Sequence, residues 1–128
     1  MNELKVYRDM AEKGKLQLDS AMSELQGKRD VTALVYVSQG RILFEEVRSK
    51  AVDLRAKRTP AAYVTGVDDL IRAVEQLLEA AKHLRNAVVY VEDQGSAEFT
   101  NSSAKAKAAL GNAAATLSLV SDFIASHP

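Results

Sequence analysis

Cysteine is absent from this chain of 128 residues. Its absence excludes disulfides, catalysis by a thiolate and every metal site that uses cysteine ligands. A chain without disulfides fits a reducing compartment. The first ten residues carry charges throughout and contain no apolar segment of the kind found in signal peptides. We therefore expect a cytoplasmic protein.

The chain also lacks an excess of charge of either sign. Seventeen Lys and Arg residues balance seventeen Asp and Glu residues, so that the formal net charge is zero. No overall field therefore attracts nucleic acid or an anionic membrane. No uninterrupted apolar run approaches the length of about 18 residues that a membrane-spanning helix needs. We expect no membrane partner, and nucleic acid is not favoured as a partner.

Motifs of catalysis and of cofactor binding are missing as well. The sequence contains no glycine-rich phosphate loop and no nucleophile elbow. Glu75, Glu79 and His83 recur at steps of four and share one helix face, but a di-iron bundle needs Glu-x-x-His on two helices. The only other histidine, His127, is next to the last residue. We predict no metal, no cofactor and no enzymatic activity.

Four segments of the sequence carry apolar residues at helical spacing, and none shows strand alternation. The clearest segment keeps steps of four and three throughout, at Tyr63, Val67, Leu70, Val74, Leu77, Ala81, Leu84, Val88 and Val91. Short connections place successive helices as antiparallel neighbours. The pattern predicts an all-α, up-down-up-down four-helix bundle in one domain spanning 1–128. Its helices are expected at about 2–26, 30–57, 60–94 and 101–126.

Local signals suggest where these helices begin and end. Gly27 is expected to terminate the first helix, and Asp30 to cap the second. Thr59 followed by Pro60 is typical of a helix start. Gly66 leaves open whether the third helix begins at Pro60 or near this glycine. The polar residues at 100–103 are expected to cap the fourth helix.

His83 is the residue with the most specific chemical potential. It directly precedes the core residue Leu84, so its ring is expected to point outward, with Lys82 and Arg85 beside it. An outward histidine among cations on a bundle helix resembles a histidine phosphotransfer domain. The resemblance implies that His83 accepts a phosphoryl group, which Lys82 and Arg85 steady. The family pattern is His-x-Leu-Lys-Gly, whereas leucine follows His83 directly. The alternative is a solvated histidine on a polar face.

A basic cluster lies near the end of the second predicted helix. Its members are Arg48, Lys50, Arg55, Lys57 and Arg58. Such a cluster could bind a phosphate backbone or an acidic protein. Acidic residues are interleaved with it, and no exposed aromatic residue is evidently placed to stack on a base. The alternative is solvation of a helix end whose dipole favours cations.

Apolar residues also occur off the predicted core stripes. They are Val35, Ile42, Val89 and Leu119. Single exposed apolar residues are common, but together they could bind another protein or a second copy of the chain. Our first hypothesis is a non-enzymatic protein-interaction module, such as an adaptor, a chaperone, an immunity factor or a regulatory subunit. Partner binding is assigned to these four residues.

The core assignment generates a prediction of stability. Replacing Leu77 in the clearest stripe by alanine is expected to lower the free energy of unfolding by about 2–5 kcal/mol, because the change leaves a cavity. Chemical denaturation of Leu77→Ala and of the wild type measures this difference. Full stability of the variant would mean that the third helix turns another face to the core.

Overall fold

The computed structural model describes residues 2–57 and 59–128, which form four long helices. They are α1 (Asn2–Gln26), α2 (Asp30–Ala56), α3 (Ala61–Val89) and α4 (Ala97–Ser126). No strand occurs among the described residues. Short turns reverse the chain between α1 and α2 and between α2 and α3, and a longer loop joins α3 to α4. The predicted all-α, up-down-up-down four-helix bundle is confirmed.

The turn between α1 and α2 differs from the predicted one by one residue. Lys28, not Gly27, adopts the left-handed conformation, with φ of 58°. The amide of Arg29 donates to the Glu24 carbonyl at 2.9 Å, and the amide of Lys28 donates to the Leu25 carbonyl at 3.0 Å. These bonds satisfy the last carbonyls of α1. Arg29 then occupies the N-cap of α2, and the predicted cap residue Asp30 is already helical.

The helix boundaries around the connection between α3 and α4 also differ from the predicted ones. α3 ends at Val89 rather than near residue 94, although Val91 continues its spacing and is buried. Val91 therefore belongs to an apolar contact made by the loop, which a periodic pattern does not distinguish from a helix. α4 begins early, at Ala97, because the Ser96 hydroxyl accepts a hydrogen bond from the Phe99 amide at 3.1 Å. The predicted cap residues 100–103 lie inside its first turns.

Gly66 neither starts nor interrupts α3, which runs continuously from Ala61. Pro60 is the N-cap of this helix and not, as expected, its first residue after a cap at Thr59. A Cβ at Gly66 would lie 2.5 Å from the Phe123 ring and 3.0 Å from Leu4. Real Cβ atoms do not approach other atoms so closely. Glycine is therefore needed here because α3 meets α1 and α4 at close range.

The same kind of close approach joins α1 to α2. The ring of Phe44, which is fully buried, rests on Gly14, so that a Cβ there would overlap the ring. A Cβ on Gly40 would lie 3.0 Å from the carbonyl oxygen of Gly14. Two glycines and one aromatic ring thus set the distance between these helices and the rotation of each about its axis.

The four helices are arranged as a rhombus rather than a square. α3 packs extensively against α4 and α2, and it also touches α1 across the short diagonal. α1 makes only a limited contact with α4. Within the described chain, no Cα of α2 comes within 8 Å of a Cα of α4. The helices α2 and α4 therefore occupy opposite outer corners, and each turns a face to solvent.

The glycine contacts generate a prediction with an internal control. Gly14→Ala is expected to lower the free energy of unfolding by about 1–3 kcal/mol, because the buried Phe44 ring has little room to move. Gly111→Ala is expected to be neutral or to stabilise by up to about 1 kcal/mol, since no atom lies within 4 Å of the added Cβ and alanine favours helix. Denaturant titrations compare them. Equal stability of the two variants would contradict the packing at Gly14.

Candidate functional site

Four exposed large apolar residues lie along α2 on the side away from the core, namely Val31, Val35, Ile42 and Val52. We call this side the outer face of α2. It is defined by seven exposed residues, Val31, Val35, Ser38, Ile42, Glu45, Ser49 and Val52. Its apolar members are well exposed, and Ile42 reaches 66%.

The outer face of α2 is a second stripe with the same spacing as the core stripe. Its positions alternate at steps of four and three, as do the core positions from Ala33 to Ala51. The two stripes are offset by two residues, which corresponds to about 200° around a helix. One helix therefore carries two stripes on opposite sides, and only one of them is covered in the bundle.

Sequence reasoning found the two central apolar residues of this face, Val35 and Ile42, and missed Val31 and Val52. The signal that could have found them was present in the sequence. Once Val35 and Ile42 are set one heptad apart, the alternating spacing extends in both directions to Val31 and Val52.

Charged residues border the outer face of α2, with a different sign on each side. Arg41, Arg48 and Arg55 follow one another at heptad spacing on the side toward α3. On that side the Nε atom of Arg48 lies 3.9 Å from a carboxylate oxygen of Glu75. The Nε atom of Arg55 lies 2.8 Å from a carboxylate oxygen of Asp68. We call these three arginines the basic flank.

The opposite border of the outer face is acidic. It carries Glu46 and Asp53, again one heptad apart, and we call them the acidic flank. Lys50 lies beside Glu46 at 2.9 Å. The C-terminal half of the outer face is therefore bordered by arginines on one side and by Glu46 and Asp53 on the other. Beside Val31 and Val35 the same flank positions hold uncharged residues, namely Leu34, Thr32 and Gln39.

The other two predicted partner-binding residues lie apart from each other. Val89, 73% exposed, lines the groove between α2 and α3 together with Val37 and Arg41. It therefore borders the same side of α2 as the basic flank. Leu119, 49% exposed, lies on α4 at the opposite corner of the bundle. The structure does not bring Leu119 together with Val35 and Ile42.

A second apolar feature lies where α1 and α4 make little contact. Leu16, 65% exposed, lines a groove there with Ala114, Leu117 and Ser118. The charged residues Glu12 and Lys15 of α1 line the same groove. Sequence reasoning missed Leu16 because its position depends on how closely two distant helices approach.

His83 lies in the groove between α3 and α4 and not on an open helix face. Its side chain is 20% exposed, and its Nε2 atom lies 3.4 Å from a carboxylate oxygen of Glu79. Glu75 lines the same groove, and Lys105 contributes a cation from α4. A histidine in contact with the carboxylate of Glu79 is poorly placed to receive an anionic phosphoryl group, because like charges repel.

The cations that the phosphotransfer hypothesis assigned to His83 face a different groove. Lys82 and Arg85 line the space between α2 and α3, on the other flank of α3. Their separation from His83 follows from the rotation of about 100° per residue in a helix. Within residues 2–57 and 59–128 no group of three or more His, Asp or Glu residues is placed to hold a metal ion.

The basic cluster is largely neutralised by neighbouring carboxylates. Arg48 and Arg55 pair with residues of α3, and Lys50 pairs with Glu46. The hydrogen bond to Glu46 raises the pKa of the Lys50 ammonium above its usual value. Lys57 is exposed beyond the end of α2, and Arg58 lies outside the described residues. Paired cations offer less attraction to a phosphate backbone than free ones.

The helix α4 is more apolar than its interrupted sequence indicated. An 18-residue window within it has a mean hydropathy of 1.3, and 28% of that window is buried. By length and composition alone, α4 could cross a membrane. Its alanines raise the average even where single polar residues break the run. Helices that pack in bundle cores meet the same criterion.

The fold and its exposed faces define an antiparallel four-helix bundle whose outer corner helix carries an uncovered apolar stripe. A comparison with known proteins finds no family model, no curated protein and no solved structure that matches the chain.

The surroundings of His83 generate a prediction about phosphotransfer. We expect no acid-labile, base-stable phosphoryl group on the protein after incubation with a phosphorylated receiver domain, because Glu79 stands where a cation is needed. Phosphate-affinity electrophoresis of the wild type, of His83→Gln and of Glu79→Gln checks this. A label that the wild type acquires and His83→Gln loses would contradict the prediction and restore the phosphotransfer hypothesis.

Proposed function

We propose that this chain is a non-enzymatic protein-interaction module that binds its partner through the outer face of α2. The observation that carries the proposal is the second apolar stripe, which runs along an exposed helix face directly opposite the buried one. Val31, Val35, Ile42 and Val52 are all at least 46% exposed. Apolar residues that repeat in register along an exposed face are typical of helix-mediated recognition.

Burial of this face by a partner contributes a favourable free energy of binding. Removing a valine or isoleucine side chain fully from water contributes about 1.5–3 kcal/mol. Ile42, at the centre of the face and 66% exposed, has the most to gain. Part of this gain is offset by the entropy lost on association, so that moderate affinity is expected from such a face.

The other surfaces supply less support for a competing function. The groove around His83 mixes cations and carboxylates, and the basic cluster is paired with acidic residues. The groove beside Leu16 is lined by the charged residues Glu12 and Lys15 as well as by apolar ones. An interaction through the outer face of α2 is therefore the proposal that the distribution of apolar surface favours.

The test compares two exposed apolar residues on opposite corners of the bundle. Ile42→Glu places a charge at the centre of the outer face of α2, whereas Leu119→Glu places the same charge on α4. Each protein is tagged, incubated with nuclease-treated lysate of the native host, and its retained proteins are quantified by mass spectrometry. We expect one dominant partner, retained by the wild type and by Leu119→Glu and reduced at least about tenfold by Ile42→Glu.

Circular dichroism melts control for folding, because both residues are exposed and neither charge should disturb the core. Equal retention of the partner by Ile42→Glu and the wild type would show that the proposed face is wrong. Loss of the partner only in Leu119→Glu would move the interaction surface to α4.

A further inference from the structure

We infer that the partner of the outer face of α2 is the same face on a second copy of the chain, with the two α2 helices parallel. The inference rests on the proposed function and specifies which partner binds to the outer face of α2. Two observations carry it, namely the heptad spacing of the face and the opposite charge of its two flanks. The apolar face is not needed for the bundle core, which uses the other side of α2, whereas Arg48 and Arg55 of the basic flank also pair with α3.

The spacing of the outer face suits a helix that pairs with a copy of itself. Its positions alternate at steps of four and three from Val31 to Val52, about 32 Å at 1.5 Å per residue, and four of these seven positions are apolar. Repeats of this kind place successive side chains on a seam between two helices. A shorter or irregular patch would suit a groove or a loop equally well.

The position of α2 in the bundle leaves room for this contact. α2 occupies an outer corner, where α1 and α3 pack against its inner side only. A second α2 can therefore approach to the usual distance between packed helices, about 8–10 Å, before any other element meets. If α2 were flanked by other helices at the same level, those neighbours would meet first and keep the two α2 helices apart.

The flanks favour a second copy in parallel orientation. A two-fold axis parallel to α2 places the basic flank of each copy against the acidic flank of the other. Arg41 of one copy then meets Glu46 of the second copy, and Arg48 meets Asp53, since these pairs occupy adjoining flank positions of successive heptads. The symmetry repeats both pairs, which gives four ion pairs across the seam.

The antiparallel alternative brings like charges together. Reversing one helix sets the basic flank against the basic flank, so that Arg41 and Arg48 meet arginines. It likewise sets Glu46 and Asp53 against carboxylates. Flank charges of this kind select the orientation of paired helices. Within the chain, Arg41 pairs with Glu45 on α2, and the Nε atom of Arg48 lies 3.9 Å from a carboxylate oxygen of Glu75 on α3. Both pairs are exposed and therefore weak, so each arginine can turn toward a new carboxylate.

Three polar residues limit the strength of the pairing. Ser38 and Ser49 contribute little apolar area, and Glu45 would face Glu45 of the second copy. Arg41 lies 3.2 Å from Glu45 in the same chain and offsets part of that repulsion. A single helix pair of this composition belongs among the small, weak interfaces. We therefore expect a dissociation constant on the order of micromolar or weaker, with monomer and dimer in exchange.

Sedimentation velocity over a concentration series tests whether the dimer forms. The wild type and Leu119→Glu are expected to shift from monomer to dimer with rising concentration. Ile42→Glu is expected to weaken association by at least about tenfold, because it places two further carboxylates in the seam. A wild type that stays monomeric at concentrations approaching millimolar would overturn the inference.

Single cysteines test the orientation, since the natural chain has none. Ser49→Cys changes one oxygen to sulfur at an exposed seam position away from its centre. In the parallel dimer the two residues at 49 face each other and form a disulfide under mild oxidation. In the antiparallel pairing that sets Ser49 of each copy beside Ser38 of the other, the two residues at position 49 are about 16 Å apart. Ser118→Cys on α4 measures cross-linking by chance collision.

The expected result is rapid dimerisation of Ser49→Cys and only slow dimerisation of Ser118→Cys. Introducing Ile42→Glu into the Ser49→Cys variant should abolish the difference. Self-association with no cross-link at 49 would overturn the parallel arrangement, and preferential cross-linking of a mixture of Ser38→Cys with Ser49→Cys would identify the antiparallel one.

The failure of this inference is distinguishable from the failure of the proposed function. A monomeric wild type that still captures a different protein through Ile42 would overturn self-pairing alone. A wild type whose self-association and partner capture both survive Ile42→Glu would overturn both, because each uses the same face.

Discussion

Burial of the apolar stripe on α3 is the constraint on which the rest of the arrangement depends. Its leucines Leu70, Leu77 and Leu84 are fully buried, and they are reached from three sides by the other helices. Covering one long stripe from three sides places α1 across a short diagonal. That position keeps α2 and α4 apart and leaves each at an outer corner. The exposed faces of the molecule are therefore a consequence of how its most apolar helix is covered.

Close packing between α1 and α2 determines which residues of α2 point outward. Phe44 rests on Gly14, and Gly40 lies against the backbone of α1. A rotation of α2 about its axis would bring side chains with a Cβ into these contacts, and the helices would have to separate. The inner contact therefore holds Val35 and Ile42 in the direction of solvent. The outer face of α2 therefore depends on Gly14 and Gly40, which lie outside it but fix the rotation of α2.

The exposed faces of the bundle differ in what they offer. The outer face of α2 combines apolar residues with arginines on one flank and Glu46 and Asp53 on the other, although Lys50 lies beside Glu46. The groove around His83 is lined by residues of both signs with no such separation into flanks. An ordered separation of charge supports orientation of a partner, and an intermixed one mainly solvates the protein. For this reason we place the proposed interaction on α2, although His83 is the residue with the greater chemical capability.

The sequence by itself determined the number of helices, their antiparallel order and the core leucines of α3, because helical periodicity is a local property of the chain. It was less successful at helix ends, where a single hydrogen bond from Ser96 or a left-handed Lys28 decides the boundary. It identified Val35 and Ile42 as residues off the core stripe. Only the tertiary structure decided that Leu119 lies at the opposite corner and that His83 lies in the groove between α3 and α4. The groove that a side chain enters depends on which helix packs beside it, and that choice results from contacts between residues far apart in the chain.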